Sequence, residues 1–180
     1  IPWKEDMKPF PIEPYSVQKL TIEYYCKLYT KLYGLKTTIF RFFQVFGENQ
    51  RNDTALYKFF QAVKNDDVIT LTKTTAQSSF DTGQRDFIYV GDLADACIEA
   101  SMSTRTGHGE ILNIATGKVY EMKKIAEALE AKVKFIPKRD FEVERHEADM
   151  TNTFNILSWR PKVDVIEWLK EYRKILKNEN

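Results

Sequence analysis

The chain is 180 residues long, 43% hydrophobic and 29% charged, which fits one globular domain whose twelve Phe, nine Tyr and three Trp supply a substantial core. Its net charge of +1, with both signs interspersed, excludes an electrostatic nucleic-acid binder. There is no run of about 18 apolar residues and no leader-like start, so neither a membrane span nor export is expected.

Residues 1–14 hold four prolines and read as an irregular lead-in along the surface. Tyr15–Tyr33 is predicted as a helix, with Val17, Leu20, Tyr24, Leu28 and Leu32 at helical period and Gly34 as its stop. Thr37–Phe46 is a nearly continuous apolar and β-branched run, suited to a parallel strand covered on both faces, and Arg41 inside it must find a partner. Asn52-Asp53-Thr54 can cap a helix from about Ala55 to Lys64. Val68–Thr72 reads as a short strand, Thr74–Gly83 as a polar loop and Asp86–Val90 as another strand. Asp92 is placed to cap a helix running through Ser101. A strand over Ile111–Ala115, a helix over Glu121–Ala131 and a strand over Val133–Pro137 follow. Thr151 can cap a short helix to Leu157, and Val165–Leu176 closes the chain as an amphipathic helix. Strands and helices alternate, so the fold class is α/β.

Cys26 and Cys97 fall inside helical patterns and read as buried free thiols in a reducing cytoplasm. His108 and His146 stand apart from any Cys/His cluster, so no metal site is expected. Tyr15 and Lys19 are the most informative pair. Their spacing of four puts phenol and ammonium on one helical face, and a nearby cation favours a phenolate able to move protons at neutral pH. Alone, the pair also fits an ordinary solvated helix face.

Its surroundings are more specific. Pro14-Tyr15-Ser16-Val17-Gln18-Lys19 is followed by Thr37-Thr38-Ile39-Phe40-Arg41-Phe42-Phe43-Gln44-Val45-Phe46-Gly47 and by Gln84-Arg85-Asp86-Phe87-Ile88-Tyr89-Val90-Gly91-Asp92-Leu93. Leu112-Asn113-Ile114-Ala115-Thr116-Gly117, Ala148-Asp149 and Leu157-Ser158-Trp159-Arg160-Pro161-Lys162 complete the series. In this order the motifs resemble the C-terminal half of the extended short-chain dehydrogenase/reductase family, whose members are NAD(P)-dependent sugar-nucleotide epimerases and dehydratases of the UDP-glucose 4-epimerase type. The resemblance covers nearly all of the chain.

It implies the C-terminal part of a doubly wound, Rossmann-like sheet plus a small α/β substrate-binding lobe. Residues 1–50 would be the remnant of the nucleotide-binding domain, and 51–180 the substrate lobe, with segments around 85–100 and 111–117 returning to the nucleotide domain. Tyr15 would be the catalytic acid/base, and Lys19 would hold the nicotinamide ribose and lower the tyrosine's pKa. Phe42 would lie near the nicotinamide. Gln44 stands where the family has an Asn that reaches the sugar-nucleotide diphosphate, and it keeps the amide with one more methylene.

Arg85 matches an Arg that pairs with substrate phosphates, the alternative being a surface ion pair with Asp86 or Asp81. Arg139 and Glu142 match a phosphate-binding Arg and a ribose-binding acid in a segment of variable length. Thr54 and Ala55 match the turn that meets the nucleotide base, and a plain helix cap explains them equally. Phe43 and Trp159 read as packing, and Asp149 as a cap near Thr151.

Family members begin with a Gly-x-x-Gly-x-x-Gly turn that cradles the dinucleotide pyrophosphate. The seven glycines here, at 34, 47, 83, 91, 107, 109 and 117, form no such turn. The sequence therefore reads as a fragment, a split subunit or a truncated product that does not bind NAD(P) by itself and that self-associates or needs an N-terminal partner. Glu48-Asn49-Gln50 and Thr72–Phe80 also depart from the usual runs flanking the substrate cleft. The function implied is the substrate-binding and catalytic portion of an NAD-dependent nucleotide-sugar epimerase or dehydratase. The alternative is a non-enzymatic, split or decayed homologue that binds nucleotide or protein.

Overall fold

A computed structural model describes residues 2–139 and 142–178. The first helix, α1 (Pro14–Tyr33), opens with proline at its first position, where a missing N–H costs nothing. Ser16 Oγ accepts from the Glu13 N–H at 3.3 Å and fixes the entry. Gly34 ends the helix in the left-handed region, φ 68°, where its N–H reaches Thr30 O at 3.1 Å.

The expected strand over 37–46 is two strands, β1 (Thr38–Phe42) and β2 (Gln44–Phe46), divided at Phe43. The division is a change of partner. β1 pairs in parallel with β5 (Glu110–Ile114), whereas β2 pairs in parallel with β4 (Gln84–Tyr89). Phe43 N–H still donates to Ile114 O at 3.1 Å, so the chain passes from one neighbour to the other without losing its hydrogen bond. Beyond β4 lie antiparallel β6 (Val119–Glu121) and parallel β8 (Arg145–His146). A separate parallel pair joins β3 (Val68–Thr72) to β7 (Lys132–Ile136). Parallel partners need long crossovers, and the helices supply them. They are α2 (Ala55–Lys64), α3 (Val90–Met102), α4 (Met122–Ala128), α5 (Thr151–Ile156) and α6 (Val165–Asn178). The architecture is α/β with parallel pairing, as expected.

Two cores meet along β4. Phe87 joins Phe46, Phe60, Leu71, Leu129 and Leu169 under α2, α4 and α6. Ile88, the next residue, joins Leu112, Ile114, Ala96, Leu157 and Trp159 under α3 and α5. Alternation along one strand feeds both.

Asp86 sits in this strand fully buried. Its carboxylate accepts from Thr116 N (2.9 Å), Thr116 Oγ1 (2.7 Å), Gly117 N (2.9 Å) and Ala148 N (3.3 Å). Burial pushes its pKa up, and these donors hold it back. Asp86 thus ties the β5–β6 turn to the 147–149 segment, and it is not the ion partner of Arg85. Asp92 likewise does not cap α3, whose N-cap position is Tyr89. Helix starts one residue after β4 ends, so Asp92 falls inside the first turn and accepts from Lys162 N (2.8 Å) and Val163 N (2.9 Å). Thr54 behaves as expected, its Oγ1 accepting from Tyr57 N at 3.2 Å.

Cys97 is exposed and Cys26 half-buried, both free, which corrects the buried reading. α3 buries its Ala96–Ala100 stripe and leaves the neighbouring stripe of Cys97, Ile98 and Met102 outside. No residue of α1 is buried. It is held to β1 by Arg41, whose Nε and Nη2 donate to both Glu23 oxygens at 2.7 and 2.8 Å.

Glu144 pins the loop at 74–78. It accepts from Thr75 N (3.0 Å), from Lys138 Nζ (2.8 Å) and from Ser78 Oγ. Lys138 first, then Ser78 and Thr75, hold its pKa down to about 2. A depressed carboxylate contributes fully above its unfolded value of roughly 4.3 and loses that contribution as pH falls toward the folded one. Hydrogen-exchange protection of the Thr75 amide is therefore expected to fall between about pH 4.5 and 2. Glu144→Gln should lose it already at neutral pH, and unchanged protection in that variant would discard the pin.

Candidate functional site

The first turn of α1 carries Tyr15, 64% exposed, and one turn later Lys19, also exposed. Lys19 Nζ lies 5.3 Å from the centroid of the Tyr15 ring, so the helix brings the two together. Phe42 closes β1 at its carboxyl edge, half out in solvent, 6.3 Å from Phe40. Gln44 opens β2 opposite Phe87. Phe42, at the carboxyl end of β1, and Gln44, just after it, stand where open α/β sheets receive ligands.

A second group gathers around β4. Arg85 is largely buried, and its Nη2 lies 3.7 Å from Glu142 Oε1. Its Nη1 donates to Gln84 O at 2.8 Å. The guanidinium curls back over Gly83, where an added Cβ would come 3.0 Å from Nη1, so glycine leaves the room. Burial pulls the Arg85 pKa down and Glu142 pulls it back up. The second Glu142 oxygen, Oε2, is buried without a hydrogen-bond partner, as is Gln84 Oε1. A pocket of about 10 Å³ beside Glu142 has room for about one water.

Arg139 is exposed and meets this group only through its backbone, Glu142 N–H to Arg139 O at 3.4 Å. Thr54 and Ala55 start α2, and the Thr54 hydroxyl approaches Gln50 Oε1 at 3.3 Å while Gln50 Nε2 is buried with no partner. Among the described residues, no hydrogen bond, ion pair or ring contact links Tyr15 and Lys19 to Arg85, Glu142 or Gln44.

Sequence reasoning missed His146. β8 sets it beside Arg85 in register, and its ring stacks on Phe43 with centroids 4.6 Å apart. A two-residue strand carries no periodicity, so no local signal marked it. The cavity under the lead-in, about 200 Å³, was equally unannounced. Glu5, Asp6, Lys8, Glu23, Lys27 and Arg41 line it. Among the described residues no group of three His, Cys, Asp or Glu is placed to hold a metal, and no helix is long and apolar enough to cross a membrane.

Residues 1–115 match the family model described as the NAD dependent epimerase/dehydratase family. An uncharacterized protein of Methanocaldococcus jannaschii is 34% identical over 179 residues, covering 96% of this chain and 52% of that protein. A UDP-glucuronate 4-epimerase of Thermodesulfobacterium geofontis is 30% identical over 178 residues, covering 94% and 52%. Among solved structures, the Thermus thermophilus UDP-glucose 4-epimerase complex with NAD superposes with a TM-score of 0.81 at 27% identity, covering all of this chain and 59% of that one. The chain spans about half the length of the curated relatives it matches.

Proposed function

The chain belongs to the NAD dependent epimerase/dehydratase family, and from that premise we propose that it is the substrate-binding and catalytic portion of a nucleotide-sugar epimerase or dehydratase. The observation that carries this reading is the corner at Arg85. It offers a largely buried guanidinium beside a carboxylate whose Oε2 is buried and unmatched. A buried cation calls for an anion and an orphan acceptor calls for a donor. A nucleoside diphosphate sugar brings both, phosphate for Arg85 and a ribose hydroxyl for Glu142. Gln44, Thr54 and Ala55 extend the contact toward diphosphate and base, and Arg139 is free to swing onto a phosphate.

Tyr15 is assigned the proton. As the phenolate, its exposed oxygen would take the proton of a sugar hydroxyl, becoming the phenol, and return it at the end of the cycle. Lys19 would hold the nicotinamide ribose, and Phe42 would face the nicotinamide. Bound NAD(P) supplies the hydride acceptor at the sugar carbon. Tyr15, Lys19 and Phe42 are all exposed, so these contacts are open to a dinucleotide. The glycines of the 180 residues offer no pyrophosphate turn, so the cofactor's other contacts need a companion segment or subunit, and a cytoplasmic setting suits such a reaction.

Titration calorimetry with UDP-glucose, alongside GDP- and dTDP-sugars, tests the reading. Arg85→Ala is expected to weaken binding roughly ten- to hundredfold, the cost of about 1.5–3 kcal/mol for a charge-assisted contact. Equal affinity in wild type and variant would remove Arg85 from the site.

A further inference from the structure

His146 has no assigned task, and its position is unusual for a packing residue. The parallel register Arg85↔His146 projects both side chains from the same face of adjacent strands. The imidazole is clamped, flat on Phe43 at 4.6 Å and edge-on to Trp3 at 6.3 Å. Among the described residues, neither ring nitrogen hydrogen-bonds to a protein group. The ring is thus held in one plane next to a cation with its polar atoms unengaged.

We propose that His146 is a second anion-binding residue of the Arg85 corner, taking up a proton from solvent as a ligand phosphate settles between the two side chains. This rests on the nucleotide-sugar reading above. Without ligand, burial and the Arg85 charge both hold the ring neutral. The surrounding charges cannot relieve that. On its own segment, Glu144 is engaged by Lys138, and Glu147 by Arg145. Glu142 faces Arg85. From β4, Asp86 is filled by Thr116, Gly117 and Ala148. From the lead-in, Lys4 reaches Asp149 at 4.0 Å, and Glu5 takes the Asn113 N–H. From β1 and β2, Arg41 is paired with Glu23, while Phe43 and Gln44 carry no charge. The negative charge an imidazolium needs therefore arrives with the ligand. A dianionic pyrophosphate supplies it and cancels the Arg85 repulsion in the same event.

Binding then carries a proton. UDP-glucose is the suitable probe, because its pyrophosphate diester keeps the same charge from pH 6 to 8. Affinity should rise about tenfold for each pH unit lowered while the free ring is neutral and the bound ring charged, since one proton is taken up per ligand. At pH 7 the calorimetric enthalpy should change with the ionisation enthalpy of the buffer. The chain has two histidines, so NMR follows the His146 ring directly once His108→Gln identifies its neighbour. The expected result is a His146 midpoint raised by a unit or more (about tenfold in proton affinity) in the presence of UDP-glucose, with His146→Gln binding independently of pH. UDP-glucose binding that leaves the midpoint unmoved overturns the proposal, as does an intact pH slope in His146→Gln. Loss of binding in Arg85→Ala together with either of those results keeps the nucleotide-sugar site and discards His146. Absence of UDP-sugar binding at every pH discards both. The NMR arm uses native His146, so it stands even where His146→Gln folds poorly.

Discussion

Asp86→Ala is expected to cost about 3–5 kcal/mol of stability, a large part of the 5–15 kcal/mol typical of a domain. The carboxylate accepts three backbone N–H groups and one hydroxyl in a site with no access to water. Each buried donor left without an acceptor costs about 1–3 kcal/mol, and the hole left by the side chain admits no easy replacement. Asp86→Asn keeps one acceptor oxygen and should fall between wild type and Asp86→Ala. Urea denaturation of the three proteins measures the series. A loss below about 1 kcal/mol for Asp86→Ala would mean the turn at Thr116-Gly117 holds itself together.

Tyr15→Phe is expected to lower turnover by about 10²–10⁴-fold, the usual contribution of a positioned acid/base, with little change in stability. The side chain is 64% exposed, and removing its hydroxyl breaks no hydrogen bond among the described residues. The assay is run with a dinucleotide-binding segment present, native or grafted, and a panel of UDP-, GDP- and dTDP-sugars. Lys19→Ala should reduce both turnover and NAD affinity. Near-normal turnover in Tyr15→Phe would withdraw the catalytic role and favour a binding module.

Local rules found what is locally determined. Gly34 at φ 68°, Thr54 capping α2 and the need of Arg41 for a partner each follow from a few neighbouring residues, and each is present. The α/β class followed from alternation for the same reason. What escaped depends on residues far away in sequence. Nothing in 37–46 says that its two halves answer to different strands, because the apolar pattern of a covered strand is the same for either neighbour. The ion pair with Asp86 or Asp81, offered as the alternative for Arg85 because neighbouring opposite charges invite pairing, does not form with Asp86. Successive residues of a strand point to opposite faces, which sends Asp86 to Thr116 and Arg85 to Glu142. Cys97 was misread because helical periodicity locates an apolar stripe and not what covers it. The corner at Arg85, Glu142 and His146 was only half visible. The first two are matched by resemblance, and the third arrives through a strand of two residues.

The pairing of β1 with β5 has a consequence in time. Thr38 meets Glu110, 72 residues further along. During synthesis, α1 and β1 emerge well before that partner exists, and α1 has no buried residue to hold it meanwhile. Closing such a loop carries an entropic charge that grows as about (3/2)RT ln n, and chains dominated by non-local pairing fold in roughly milliseconds to seconds. The rate should therefore be set at β5, where Leu112 and Ile114 are fully buried, rather than in α1, which is made before it. Until those two side chains dock, β1 lacks the strand that closes it, and the Arg41–Glu23 pair is the tie between α1 and an unpaired strand.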